Sequence, residues 1–222
     1  MSKCLSLLFF GTALLVAAFL PLGSRNVFAQ DRTGVVVTIT VNSSDDPDSS
    51  LSRTCTFSSA ATQPATDGKC TLRRAIVEAS ARPQSDRPIA IVFNLAGDDA
   101  NRNRDADDTW TIVLNDTLPP LKTDLPINLN GQVTLDGATQ PGGRNNAPSI
   151  LIDTGDRVWE IESENNQIRN LALLNGGSIL ITEDNNLVEN LWLGLSADGQ
   201  SIRLRDPANP RRLATGGIVI LS

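Results

Sequence analysis

The carboxylates Asp136, Asp153, Asp156, Glu160, Glu162, Glu164, Asp184 and Glu189 are the side chains with the most chemistry to offer in this sequence. Clustered carboxylates cleave glycosidic bonds by acid–base work, and carboxylates also hold calcium. Glu164 and Asp184 stand 20 residues apart. A chain that coils with that period stacks them about 4.8 Å apart, close enough to share a cation. Each also flanks an Asn-Asn pair, and a solvated turn is the simpler reading. Asp136 precedes Gly137, which is a turn signal first. Asn101, Asn103, Asp105 and Asp107 alternate like calcium-loop ligands. No Gly occupies the sixth position, however, and Ile112 stands where a bidentate Glu belongs. Arg102 and Arg104 lie among the ligands, so the segment reads as a flexible acidic–basic loop. Trp159 and Trp192 carry rings on which a sugar can stack, and Trp192 takes the outward slot between Leu191 and Leu193. Ser149 and Ser178 have no base in the surrounding pattern, so no nucleophile is assigned.

Composition narrows the chemistry further. The 222 residues contain no His, which excludes His-ligated metals, a Ser-His-Asp triad and a histidine base. No phosphate loop, dinucleotide fingerprint or basic stripe is present. The formal charge is −6, and it falls to −8 once residues 1–29, with Lys3 and Arg25 and no acid, are set aside. An acidic surface repels nucleic acid and anionic lipid. Residues 1–29 read as a signal peptide: Lys3, an apolar run from Leu5 to Leu20, the breakers Pro21 and Gly23, then Val27-Phe28-Ala29 before Gln30. The run is short for a bilayer span, which wants about 20 residues, so no membrane segment is expected after cleavage. Cys4 precedes the run and is no lipid-anchoring cysteine. Cys55 and Cys70 remain, 15 apart, and in an oxidising compartment they are expected to form a disulfide. Two cysteines without His cannot complete a four-ligand zinc site.

Two nonads must position the rest. Asn165-Asn166-Gln167-Ile168-Arg169-Asn170-Leu171-Ala172-Leu173 recurs 20 residues later as Asn185-Asn186-Leu187-Val188-Glu189-Asn190-Leu191-Trp192-Leu193. Trp159 and Ile161 likewise precede Ile179 and Ile181 by 20. Such a period, with strand-like alternation and Asn/Gly corners, predicts parallel coils stacked rung on rung. Ile168 then lies under Val188, Leu171 under Leu191 and Leu173 under Leu193, with Arg169 beside Glu189. Asn170 and Asn190 fall at a corner, where Asn tolerates left-handed backbone and its amide can ladder up the stack.

Strands are predicted over Gly34–Val41, Ile89–Leu95, Trp110–Leu114, Leu125–Leu129, Gln132–Leu135, Ser149–Asp153, Arg157–Ile161 and Gly217–Ser222. Asn42 to Gly68 reads as a loop stapled by the cysteine pair. One helix is predicted over Thr71–Arg82, capped by Thr71 and ended by Pro83. Its apolar face is Leu72, Ala75, Ile76 and Ala79, with Arg73, Arg74 and Glu78 facing elsewhere. So short a helix needs a surface to lie on, and the end of the stack supplies one.

Cys70-Thr71-Leu72-Arg73-Arg74-Ala75-Ile76 resembles the CSLREA motif of exported bacterial proteins, and Val133-Thr134-Leu135-Asp136-Gly137-Ala138-Thr139-Gln140-Pro141-Gly142 is similar to that family's VTIDGTTQPG segment. The resemblance runs from about Val35 to the end. It implies a right-handed parallel β-helix of the pectate-lyase-like kind. Two departures stand out: Arg74 replaces the motif's Glu, and Gly97 to Asp108 looks like a hydrophilic insertion. The chain also stops in an apolar strand, without the cap that normally covers a last rung. A truncated frame or a fragment of a longer surface protein is the expectation.

The sequence therefore predicts an all-β, right-handed parallel β-helix with about 20 residues per rung and a short N-terminal capping helix. Residues 1–29 are the signal peptide, 30–88 the cap and 89–222 the rungs. The expected role is a secreted or cell-surface scaffold that binds a polysaccharide or cell-envelope partner, or a structural part of a larger protein. No catalytic residue, metal ligand or cofactor is assigned. The alternatives are a polysaccharide lyase or glycoside hydrolase, and a nonfunctional fragment. The fold rests on the repeat spacing and the two matching motifs, and the function on analogy alone.

Overall fold

The computed structural model describes residues 36–48, 52–105, 108–123, 130–195 and 216–221. Residues 1–29, expected to be a signal peptide, Asp107, the strand expected over Leu125–Leu129, and Ser222 lie outside the described residues.

The described residues are mostly β, with parallel sheets and one α-helix. It opens with β1 (Val37–Val41), then a cap holding the two-residue strands β2 (Arg53–Thr54) and β3 (Gln63–Pro64) and the helix α1 (Leu72–Ala81). β4 (Ile89–Phe93), β5 (Arg102–Asn103) and β6 (Thr109–Val113) follow, then β7 (Val133–Asp136), β8 (Ile150–Asp153) and β9 (Val158–Ile161). The next three are β10 (Gln167–Arg169), β11 (Leu171–Leu174) and β12 (Ser178–Ile181); the last are β13 (Leu187–Glu189), β14 (Trp192–Leu193) and β15 (Ile218–Ile220).

Outside the cap pair β2–β3, which forms its own two-stranded sheet, and the pair β5–β6, strands adjacent in sequence lie in different sheets. The first sheet runs β1-β4-β7-β10-β13, the second β14-β11-β8-β6-β5 and the third β15-β12-β9. Apart from β5, which turns back antiparallel on β6, each strand pairs in parallel with its counterpart from the neighbouring turn. A bridge between Leu121 and Ile161 extends the third sheet by one step.

The duplicated nonads are neighbours: Ile168 pairs with Val188, Arg169 with Glu189, Ala172 with Trp192 and Leu173 with Leu193. Trp159 likewise pairs with Ile179. The 20-residue period does not hold throughout. Leu135 pairs with Ile168, 33 positions on, and Ile179 with Ile218, 39 positions on. The surplus lies in connections outside the strands, where length costs little so long as the strand pairing is kept.

Register builds the core. Ile39, Ile91, Leu135, Ile168 and Val188 form one column in the first sheet. Ile112, Ile152, Leu173 and Leu193 form another in the second. These side chains pack into one continuous apolar cluster, because like residues about 4.8 Å apart fill each other's gaps. Trp159 belongs to this cluster, 2% exposed, with its indole Nε1 donating to Pro119 O at 2.9 Å. It is no sugar platform: it shares a strand face with Ile161, and that face points inward.

The helix falls close to where the sequence places it. Thr71 caps it by accepting from Arg74 N at 3.3 Å, and Leu72, Ala75, Ile76 and Ala79 are buried against the sheet end. Its charged side chains depart from expectation, because Arg73, Arg74 and Glu78 are all buried. Asp46 receives Arg73 Nε and Nη2 at 2.7 and 2.8 Å, and the Thr117 and Asp116 carbonyls receive its remaining donors. Arg74 pairs with Asp48 and with Asp67. Glu78 accepts from Cys55 N, Thr56 N and Thr56 Oγ1 at 3.0, 2.8 and 2.9 Å, and from Arg82. The Ser/Asp/Thr-rich loop wraps the helix instead of standing away from it, and the Cys55–Cys70 disulfide fixes it there.

Candidate functional site

The connection from β7 to β8 carries the site. It begins at Asp136, whose Oδ1 accepts from Ala138 N at 2.9 Å and caps a 3-10 turn over Gly137–Thr139. Thr139 Oγ1 then accepts from Phe93 N at 2.8 Å. Buried Gln140 accepts from Leu95 N at 2.8 Å and donates to Leu95 O at 3.1 Å. The Thr-Gln pair thus acts as a surrogate strand for the turn below, satisfying backbone groups that would otherwise be orphaned. Gly137 is required there, since a Cβ would lie 2.1 Å from Asn170 O.

The rest of the loop arches outward. Arg144 N donates to Ser149 Oγ at 2.6 Å, and Arg144 Nε donates to Pro148 O at 3.0 Å. The guanidinium lies 5.5 Å from the centroid of the Trp192 ring, a cation–π contact. Trp192 projects from the outer face of the second sheet, half-buried against Leu151, Ala172 and Leu174, as its outward slot predicts.

Beneath the arch lies a groove of about 530 Å³, lined by Gly137, Ala138, Asn145, Asn146, Asn170, Asn190, Arg144 and Trp192 among others. A second depression of about 540 Å³ adjoins it on the flank of the same loop and reaches Asp108.

The floor is a polar ladder. Asp136 Oδ1 accepts from Asn170 Nδ2 at 2.7 Å, and Asn170 Oδ1 accepts from Asn190 Nδ2 at 2.9 Å. Both asparagines are left-handed, with φ of 59° and 56°, so the corner and the ladder arise from one choice of residue. Asp136 Oδ2 accepts from Arg169 Nε at 2.9 Å, and Arg169 also pairs with Glu189 at 3.6 Å. A second ladder closes the corner between the third and first sheets. There Asn166, 1% exposed, donates to Ser163 O at 2.7 Å and to Asn186 Oδ1 at 3.0 Å.

The remaining carboxylates do not converge on this groove. Asp153 caps its own turn through Gly155 N. Glu160 and Glu162 stand on β9 and the residue after it, on the third sheet. Burial, and Glu160 beside it, push the Glu162 carboxyl above its ordinary range. Glu164 lies at the Asn-Asn corner, where its backbone bridges to Asn130, and Asp184 is exposed one turn on. Of the calcium-like alternation, Asn101 is tied to Ser44 at 2.9 Å, and Asn103 accepts from Asp105 N. Among the described residues, no group of three or more acids or cysteines is placed to hold a metal ion. Ser149 is a loop brace, and Ser178 opens β12 with its hydroxyl turned to Gly176 O.

The groove therefore offers amides, one stacked cation and an indole, with no carboxylate among its described lining residues. That set can bind a polar ligand, and it contains no acid–base pair. Sequence reasoning found Trp192 and the ladder asparagines; it missed Arg144, Asn145 and Asn146. The available signal was the irregular spacing, 33 where the period is 20, which marks a long connection at this corner. No family model, curated protein or solved structure matches the chain.

Proposed function

We propose that the protein is an exported right-handed parallel β-helix scaffold, of the kind bearing the CSLREA motif, that binds a glycan at the cell surface or outside the cell. The binding site is the groove under the β7–β8 loop. One observation carries this: an indole and several side-chain amides converge on one concave surface with no carboxylate among its described lining residues. Carbohydrates are bound by apolar ring faces together with planar hydrogen-bonding groups, which suits that combination. The Cys55–Cys70 disulfide is consistent with an oxidising compartment. The apolar N-terminal run provides a route there.

The test is a glycan array probed with the purified protein and with Trp192→Ala. Retention of a discrete set of glycans by the parent, and loss of that set by the variant, supports the proposal. An array on which the folded parent retains nothing removes it. Release of unsaturated or reducing sugars from polygalacturonate or alginate would turn the assignment to catalysis.

A further inference from the structure

The ladder at the groove floor has a direction, and its cause is Asp136. A carboxylate can only accept, so Asn170 must turn its NH2 group toward Asp136; the distance is 2.7 Å. The Asn170 carbonyl then faces the next rung, and Asn190 must in turn present its NH2, at 2.9 Å. The open end is Asn190 Oδ1. Asn190 is exposed, and among the described residues no group donates to that oxygen. Each bond polarises the next, so the terminal carbonyl is a strengthened acceptor. Arg144 is the charged residue among the described lining residues. Its guanidinium is directed at Pro148 O and at the Trp192 ring.

We propose that the groove selects an uncharged, hydroxyl-bearing glycan over an acidic one, and that Asn190 is the specificity-determining residue. This rests on the glycan assignment above. A sugar hydroxyl donates to Asn190 Oδ1, with the pyranose ring set against the Trp192 indole. The carboxylate of a uronic acid at the same position brings acceptor against acceptor. It also lies at the end of a ladder whose base is already a carboxylate. Asn145 and Asn146, exposed on the loop, can donate or accept as a flanking hydroxyl requires.

Two substitutions separate selection from folding. Asn190→Gly removes the amide, and glycine accepts the φ of 56° without strain. Asp136→Asn retains the shape of the ladder's base but lets it donate as well as accept, so the ladder is no longer locked in one direction.

The experiment is calorimetric titration of the purified protein with a panel of neutral hexasaccharides (cello-, xylo-, manno- and laminarihexaose) and with hexagalacturonate. At least one neutral hexasaccharide is expected to bind about tenfold or more tighter than hexagalacturonate. Asn190→Gly should lose about that factor on the neutral ligand with its melting transition retained. Asp136→Asn should bring the neutral-to-acidic ratio toward one. Hexagalacturonate binding as tightly as the neutral sugars, or neutral binding undiminished in Asn190→Gly, overturns the selectivity and leaves the glycan site standing. Binding of none of these sugars by a parent that also retains nothing on the array overturns both.

Discussion

Arg73 meets Asp46 in a two-pronged ion pair, with Nε–Oδ1 at 2.7 Å and Nη2–Oδ2 at 2.8 Å, and each side chain is 1% exposed. The pair ties the cap loop to the helix, and the other Arg73 donors tie both to the Asp116–Thr117 carbonyls that follow β6. Removing one partner leaves a buried charge unpaired. Arg73→Ala is therefore expected to cost about 3–5 kcal/mol in equilibrium denaturation. A loss under about 1 kcal/mol would mean that solvent reaches the pair.

The inner corner ladder should be nearly as sensitive. Asn166 donates to Ser163 and accepts from Val133 N at 3.1 Å in a buried setting, and it donates to Asn186 in a partly buried one. Asn166→Ala orphans several of these groups and is expected to cost about 2–3 kcal/mol. Asn186→Ala, one rung on and less buried, should cost less. Urea midpoints of the two variants decide the order.

Stability should fall in acid, with Glu78 contributing. Burial opposes its ionisation, but hydrogen bonds from the Thr56 N–H, Arg82 and the Thr56 hydroxyl outweigh burial and hold the carboxyl below its ordinary range. A lowered carboxyl contributes stability that is full above the unfolded-state value. That stability is lost as pH falls through the folded-state value. Glu78→Gln is expected to be less stable at neutral pH and to show a shallower acid decline. Parallel acid profiles in the two proteins would exclude Glu78 as a contributor.

How much of this was legible in the sequence depends on what each residue answers to. Ile168 and Val188, or Leu173 and Leu193, answer to the rung beside them. Stacking asks for the same residue type at the same position, so the duplication reads directly as adjacency. The same logic found Arg169 beside Glu189, at 3.6 Å. It missed the shorter partner, Asp136, because the long β7–β8 connection displaces Asp136 from the 20-residue period. Helical periodicity places Arg73, Arg74 and Glu78 off the apolar face and says nothing of what they meet there. Their partners Asp46, Asp48, Asp67 and Thr56 lie in a loop whose path no periodicity encodes. Strand face separates Trp159, which points inward, from Trp192, which points outward. The i, i+2 relation of Trp159 to Ile161 held that information.

Reduction should loosen the cap before the stack. The Cys55–Cys70 bridge closes a 15-residue separation, and constraint of that order is worth roughly 3 kcal/mol. Thiol reductant is expected to lower the denaturation midpoint accordingly. Early amide exchange should appear between residues 52 and 70. Uniform exchange across all three sheets would show that the loop is not a separate layer of stability.

Binding at the groove is most directly tested by nitrogen-labelled spectra of the protein titrated with the tightest neutral hexasaccharide. The largest shifts are expected at the side-chain amides of Asn145, Asn146 and Asn190 and at the Trp192 indole N–H. Signals from the outer face of the third sheet, around Glu160 and Glu162, should stay in place. Shifts centred on that sheet, with the Asn190 and Trp192 signals unmoved, would contradict the account.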